Sequence, residues 1–198
     1  LVAIIPIMII FAIVFFVFIN VSVENSKRQS QMLLDKTVEE LDSYFAQAQE
    51  GMNLMVTDIN VQNAIDDYVT GTYKERLDLR DFIRNRLTNM STVGRRTGAI
   101  SIYIKEADKT FSRDFSDKDL SAACAGAPWF EALLAGDTSF VREDGDSLQD
   151  GRPVWILASN IVSVKNGEVQ GLVYVELDKQ KMIQPFYDLV EGSGDEII

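Results

Sequence analysis

The first 23 residues, LVAIIPIMIIFAIVFFVFINVSV, carry no charge, and no later stretch of the chain is so constrained in what it can become. As a helix they would extend about 34 Å at roughly 1.5 Å per residue, enough to cross the hydrocarbon core of a bilayer. A cleaved signal peptide is the rival reading. Its apolar core is shorter, about 7–15 residues, and ends at a small-residue cleavage site; INVSVENSK offers no A-x-A sequence. The expectation is a membrane-spanning helix over 1–23, with Pro6 tolerated near its end. The sequence opens on Leu1 rather than Met, so further residues are expected before it. The charges that the positive-inside rule needs would lie there, and the rule gives no orientation here.

All 30 acidic and all 19 basic residues follow that segment, for a net charge of −11. A balance so acidic argues against nucleic acid as a partner. The chain has one cysteine and no histidine. It can form no internal disulfide, no Ser-His-Asp triad, no Cys-His dyad and no histidine-bearing zinc site. No catalysis and no cofactor is expected in this segment. Cys124, in SAACAGAPW, reads as a small packing residue, with an exposed thiol sensor as the alternative.

Past the apolar segment a stripe begins. Leu34, Val38, Leu41, Phe45, Ala48, Met52, Met55 and Ile59 are spaced 4, 3, 4, 3, 4, 3 and 4. An ideal helix drifts about 20° per heptad, so a register kept this long favours a 3.5-residue period. A parallel dimer seam is one reading, with Leu34, Val38, Leu41, Phe45, Met52, Met55 and Ile59 as its contacts and a homodimer as its consequence. Packing against the chain's own sheet or second helix is the other. The periodicity predicts one helix over 24 to about 69, interrupted only by Gly51. Thr72 and Glu75 then form a capping-box pair, and a second helix runs from Tyr73 to about Met90 on Leu79, Ile83, Leu87 and Met90.

After STVGRRTG the period changes to two. AISIYI is a strand, KEADKT a turn, FSRDF a short return strand, APWFEALLAGD a short helix and SFVRE another strand. RPVWILASNIVSV and EVQGLVYVELD flank KNG, and Asn166-Gly167 between two β-rich runs signals a hairpin. In the second arm Val173, Val175 and Leu177 face one way, and Leu172, Tyr174 and Glu176 the other. A helix, DKQKMIQPFYDLV, follows, kinked near Pro185, and EGSGDEII leads into a strand on which the chain stops, as if cut from a longer protein. The fold class is α+β: about five antiparallel strands with helices to one side. The expected division is a transmembrane helix over 1–23, a signalling stalk of long and second helices over 24–90, a sensor module over 91–180, and the helix and first strand of a following module over 181–198.

This order resembles the extracytoplasmic Cache (double-Cache, PAS-like) sensor domains of bacterial transmembrane receptors. The resemblance rests on the anchored long helix, on PWF in the short helix, on GRPVWILASNIVSVKNGEVQGLVYVELD, and on the helix leading to GSGDEII. Its flavour is most like sensor histidine kinases of Gram-positive bacteria. It implies a cytoplasmic N-terminus, a domain outside the cell membrane, and ligand binding that shifts a helical dimer. A chemoreceptor or a cyclic-dinucleotide enzyme with the same exterior is the alternative, and a membrane-anchored protein-binding domain is another. The partners implied are a small molecule or a solute-binding protein. Amino-acid-binding members carry an Arg two residues before the short-helix Trp; here Ala127 precedes Trp129. They also carry a strand Asp, and PVWILASNI has no carboxylate. Both departures argue against an amino-acid ligand.

The candidate ligand-binding residues are Tyr103, Trp129, Arg142, Trp155 and Tyr174. The two tryptophans would wall an apolar pocket, the tyrosines line it, and Arg142 meet an anionic group. Core packing is the alternative for the aromatics, and a solvated strand position for Arg142. Lys74, Arg76, Arg80, Arg84, Arg86, Arg95 and Arg96 interleave with Glu75, Asp78 and Asp81, the pattern of an ion-paired solvated face. EDGD at 143–146 reads as a turn without the regular spacing of a calcium loop.

Overall fold

The computed structural model describes residues 4–90, 97–112, 120–148, 150–184 and 187. The chain divides into two compact units, Leu1–Ser43 and Tyr44–Ile198.

Helix α1 runs from Ile4 to Val56. Its segment from Met8 is long and apolar enough to cross a membrane, and the large apolar side chains between Met8 and Val23 are all exposed. The expected continuation to residue 69 does not occur. The helix stops at Thr57, and Asp58 caps a new helix, α2 (Ile59–Thr70), by accepting the Asn60 N–H at 2.9 Å. The Gln62 amide donates to the Val56 carbonyl at 2.9 Å, satisfying a carbonyl orphaned at the end of α1. An N-cap aspartate that also takes an ion pair from Arg86 at 3.2 Å outweighs the propensity to continue.

Helix α3 (Tyr73–Met90) begins where the capping box places it. The Thr72 N–H and hydroxyl both donate to the Glu75 carboxylate at 2.7 Å, and these bonds hold that carboxyl below its ordinary pKa. Ile83 and Leu87 are fully buried, as their spacing requires. Arg95 and Arg96 lie outside the described residues.

The sheet has five strands: β1 (Thr97–Ile104), β2 (Lys109–Ser112), β3 (Phe140–Asp146), β4 (Pro153–Val162) and β5 (Val169–Asp178). Their order is β2-β1-β5-β4-β3, and every described pairing is antiparallel. The β4–β5 hairpin closes at Asn166-Gly167, with Gly167 at φ 73°, a value that glycine adopts without strain. Its loop is longer than a two-residue turn: Ser163 N–H donates to the Glu168 carbonyl, and Gly167 N–H to the Ser163 carbonyl, both at 2.9 Å. The return strand starts at Lys109, two residues earlier than its sequence suggests. Residues 179–184 are helical; the kink at Pro185 and the strand expected from EGSGDEII lie outside the described residues.

Both faces of the sheet are covered, not one. Val173, Val175 and Leu177 of β5 pair with Ile102, Ile100 and Thr97 of β1 and with Ser159, Leu157 and Trp155 of β4. This face meets the long helices: Tyr68 of α2 sits edge-on to Phe111 of β2, and Phe45 of α1 edge-on to Trp155, each with centroids 5.1 Å apart. Two short helices, α4 (Leu120–Ala123) and α5 (Pro128–Ala135), cover the other face. That is why all of Gly171–Asp178 is buried rather than every second residue.

The heptad stripe divides in use. Leu34 and Val38 remain exposed, at 63% and 51%, while Ala48, Met52 and Met55 are buried within their own chain, and Ile59 lies beyond the break in α2. Leu41 and Phe45 are half-buried.

Candidate functional site

The α5 face of the sheet gathers most of the aromatic candidates. β1 presents Tyr103, β5 presents Leu172 and Tyr174, and β4 presents Val154, Ile156 and Ala158; Leu120, Cys124, Phe130 and Leu133 close over them. Helix α5 starts with Pro128 in its first turn, which places Trp129 and Phe130 side by side at its mouth. The Trp129 ring lies over Tyr174 with centroids 6.4 Å apart and planes 21° from parallel. Phe130 sits edge-on to Trp129 at 5.8 Å and tilted against Tyr103 at 5.6 Å. Trp129 is half-buried, whereas Tyr103 and Tyr174 are fully inside. The Tyr103 hydroxyl donates to Asp108 at 2.9 Å, and the Lys105 ammonium donates to the Leu134 carbonyl at 2.9 Å, pinning the end of β1 to the end of α5.

At the far end of this aromatic shelf lies a buried carboxylate. Glu176 is 2% exposed. It accepts the Ser147 hydroxyl at 2.7 Å, the Leu148 N–H at 2.8 Å and the Tyr174 hydroxyl at 3.2 Å. Three donors converging on one buried acid make it a fixed point for the turn after β3. Two residues on, buried Asp178 takes Arg152 at 2.9 Å and the Lys181 N–H at 3.1 Å, and the Arg152 guanidinium also grips Asp150. Sequence reasoning placed Glu176 on this face but gave it no role. Its signal was an acid inside an otherwise apolar alternation, VYVELD.

Desolvation, and then the charge of Glu176, raise the Tyr174 phenol well above its usual range. The same two causes push the Cys124 thiol up to about 11. Cys124 is therefore expected to resist iodoacetamide at pH 8 in the folded chain and to react once the chain unfolds. A thiol whose folded pKa is raised contributes stability that is intact below about pH 9 and is lost as pH climbs towards 11, because the unfolded thiol ionises first. Alkylation followed by mass spectrometry checks the first expectation, and unfolding between pH 7 and 11 the second.

Trp155 and Arg142 are elsewhere. Strand alternation puts both on the opposite face of the sheet from Trp129, Tyr103 and Tyr174. There the Arg142 guanidinium carbon stands 3.5 Å from the centroid of Phe45, and Lys179 Nζ lies 5.5 Å over the Trp155 ring. One cavity cannot hold all five residues.

A separate cleft of about 310 Å³ opens between α2 and the β4–β5 turn, lined by Asp66, Asp67, Glu106, Lys165, Glu168 and Gln170 among others. Lys165 and Asp66 pair across it at 2.7 Å, and Gln170 also donates to Asp66. Among the described residues no group of three or more His, Cys, Asp or Glu is placed to hold a metal.

No family model and no curated protein matches this chain. Solved structures are. The sensor domain of the Vibrio cholerae histidine kinase DctB superposes with a TM-score of 0.59 at 12% identity, over 79% of this chain and 57% of that one. The ligand-binding domain of the Campylobacter jejuni chemoreceptor Tlp3 in complex with L-valine gives 0.57 at 13%, over 77% and 59%. Its sensory domain with isoleucine bound gives 0.56 at 13%, over the same shares. The chain thus spans under two thirds of the length of these structures. The fold is similar to that of the sensor domains of a bacterial histidine kinase and a bacterial chemoreceptor.

Proposed function

We propose that this chain is the ligand-sensing region of a bacterial transmembrane receptor, with its first membrane span in α1 and its sensor domain outside the cell. One observation carries the reading: an aromatic shelf, Trp129 on Tyr174, roofed by a short helix and ended by a buried acid, on a sheet with the fold of receptor sensor domains. The ligand is a small molecule that enters the α5 face beside half-buried Trp129 and reaches Tyr103 and Tyr174, which the unliganded fold keeps buried, when α5 lifts from the sheet. Apolar walls with few fixed polar groups are the usual construction of such sites. Tlp3, whose ligand-binding domain is similar in fold, binds L-valine and isoleucine. Ala127 stands where the resemblance would put an arginine on an amino-acid carboxylate, and this favours a ligand of another class.

A ligand that prefers one packing of this face shifts a two-state arrangement of the helices. Leu34 and Val38, apolar and exposed, are the part of the stripe free to meet a second copy. The output module is a histidine kinase, in keeping with the Gram-positive kinases the sequence resembles. The likeness to Tlp3, close in score to that of DctB, favours a chemoreceptor as the second reading.

The test is thermal unfolding of the intact chain in lipid nanodiscs against sugars, organic acids and amino acids. A true ligand at a hundred times its Kd adds about 2.7 kcal/mol, or roughly 5–10 °C for a domain of this size. Trp129→Ala is expected to abolish that shift while the unliganded fold survives. A shift that persists undiminished in Trp129→Ala would move the site off the α5 face. No shift from any compound would turn the reading towards a protein ligand, a solute-binding protein included.

A further inference from the structure

The two candidates stranded on the other side of the sheet form a structure of their own. Arg142, Phe45, Trp155 and Lys179 make one column, two rings between two cations: guanidinium on Phe45 at 3.5 Å, Phe45 edge-on to Trp155 at 5.1 Å, and the Lys179 ammonium over Trp155 at 5.5 Å. Lys179 is further held by Asp144 of β3 at 2.9 Å. Four elements meet in this column: β3, β4, the exit from β5, and α1 at Phe45.

β3 is one of the two edge strands of the sheet, and among the described strands it pairs with β4 only. Its residues alternate between the two faces. Val141 pairs with Ala158 and packs against the aromatic shelf. Arg142, next along, pairs with Leu157 and reaches Phe45 on the helix side. In β4, Ile156 belongs to the shelf and Trp155 to the column. One edge hairpin thus has shelf residues on one face and its hold on α1 on the other, and an edge strand is the part of a sheet with fewest bonds resisting displacement.

We propose that this column is the linkage through which the β3–β4 edge moves α1, with Arg142 and Trp155 as positioning residues rather than ligand contacts. The proposal rests on the α5 face being the ligand site. A molecule seated there pushes on Val141 and Ile156. The hairpin shifts as a unit, and Arg142 and Trp155 carry Phe45, and hence α1, with them. A cation over a ring holds direction as well as distance, which a purely aliphatic contact would not. Asp144, paired with Lys179, is the carboxylate that faces the column from β3.

Amide hydrogen exchange on the intact chain in nanodiscs tests this without any ligand. Arg142→Ala is expected to speed exchange in residues 44–56 roughly three- to tenfold, and Arg142→Lys, which keeps a cation over the ring, to restore most of the protection. Unchanged exchange in Arg142→Ala overturns the proposal, as does failure of Lys to do better than Ala. Val141→Phe then stands in for an occupied shelf. It is expected to alter exchange in both β4 and residues 44–56, and the second change alone is expected to vanish when Arg142→Ala is added. A response of α1 that persists without Arg142, or a β4 response with none in α1, overturns it. Val141→Leu serves the same purpose if the larger ring prevents folding. The ligand screen and this measurement fail separately: an α1 that ignores β3 leaves ligand binding untouched, and a silent screen leaves the linkage standing.

Discussion

Gly171→Ala is expected to destabilise the Tyr44–Ile198 unit by at least about 3 kcal/mol, lowering its melting temperature by roughly 6–12 °C. Gly171 sits in β5, the central strand, between Ile104 of β1 and Ile161 of β4. A Cβ added there would run into the Tyr103 carbonyl oxygen and lie 3.0 Å from its carbon. Both atoms are backbone, so no rotamer change relieves the clash. The β1–β5 ladder itself must part, and Tyr103 at the clash is also a wall of the aromatic shelf. Calorimetry of the variant in nanodiscs checks this. A loss below about 1 kcal/mol would mean that the two strands stand further apart than described.

Glu176→Ala is expected to cost about 2–4 kcal/mol, because it leaves several donors short of an acceptor, each buried one worth about 1–3 kcal/mol. It would leave the Ser147 hydroxyl, the Leu148 N–H and the Tyr174 hydroxyl without their shared acceptor. Tyr174 and Glu176 are both essentially inaccessible to water, so solvent does not replace the carboxylate at the Tyr174 hydroxyl. Glu176→Gln keeps one acceptor oxygen and is expected to lose less than half as much. Denaturant unfolding of the two variants measures the difference. Equal losses would show that volume, not hydrogen bonding, is what Glu176 contributes. Protease sensitivity of the turn after β3 gives a second, local readout, because Ser147 and Leu148 are held there by this acid.

The elements themselves were legible because their causes are local. An uncharged run of helix-spanning length, a capping box at Thr72 and Glu75, alternation in AISIYI and GLVYVELD, and Asn166-Gly167 between strands each act within a few residues. The capping box and the hairpin glycine stand in the structure where the sequence places them. The break after Val56 was legible too, in Asp58 before Asn60, but the heptad stripe running across it masked the signal. A capping aspartate, supported by Gln62 and Arg86 from beyond the break, competes successfully with continued helix.

The candidate site was legible only in part. Trp129, Tyr103 and Tyr174 come together, and Trp155 and Arg142 do not join them. Within one strand, alternation says which residues share a face. Between strands it says nothing until the register is known, and between a strand and a helix nothing until the helix has chosen its side. The same limit hid Glu176, whose partners Ser147 and Leu148 lie 29 and 28 residues away.

By itself, the sequence determines the apolar N-terminal helix, the lack of an internal disulfide or a histidine-based site within these 198 residues, and the antiparallel α+β pattern, since each follows from composition or from contacts a few residues long. Only the tertiary structure decided that helices cover both faces of the sheet, that the lower half of the stripe is spent inside the chain, and that two aromatic centres rather than one flank the β3–β4 edge. Those depend on pairings tens of residues apart, where the burial of apolar surface chooses among registers and sides that local preference leaves equal.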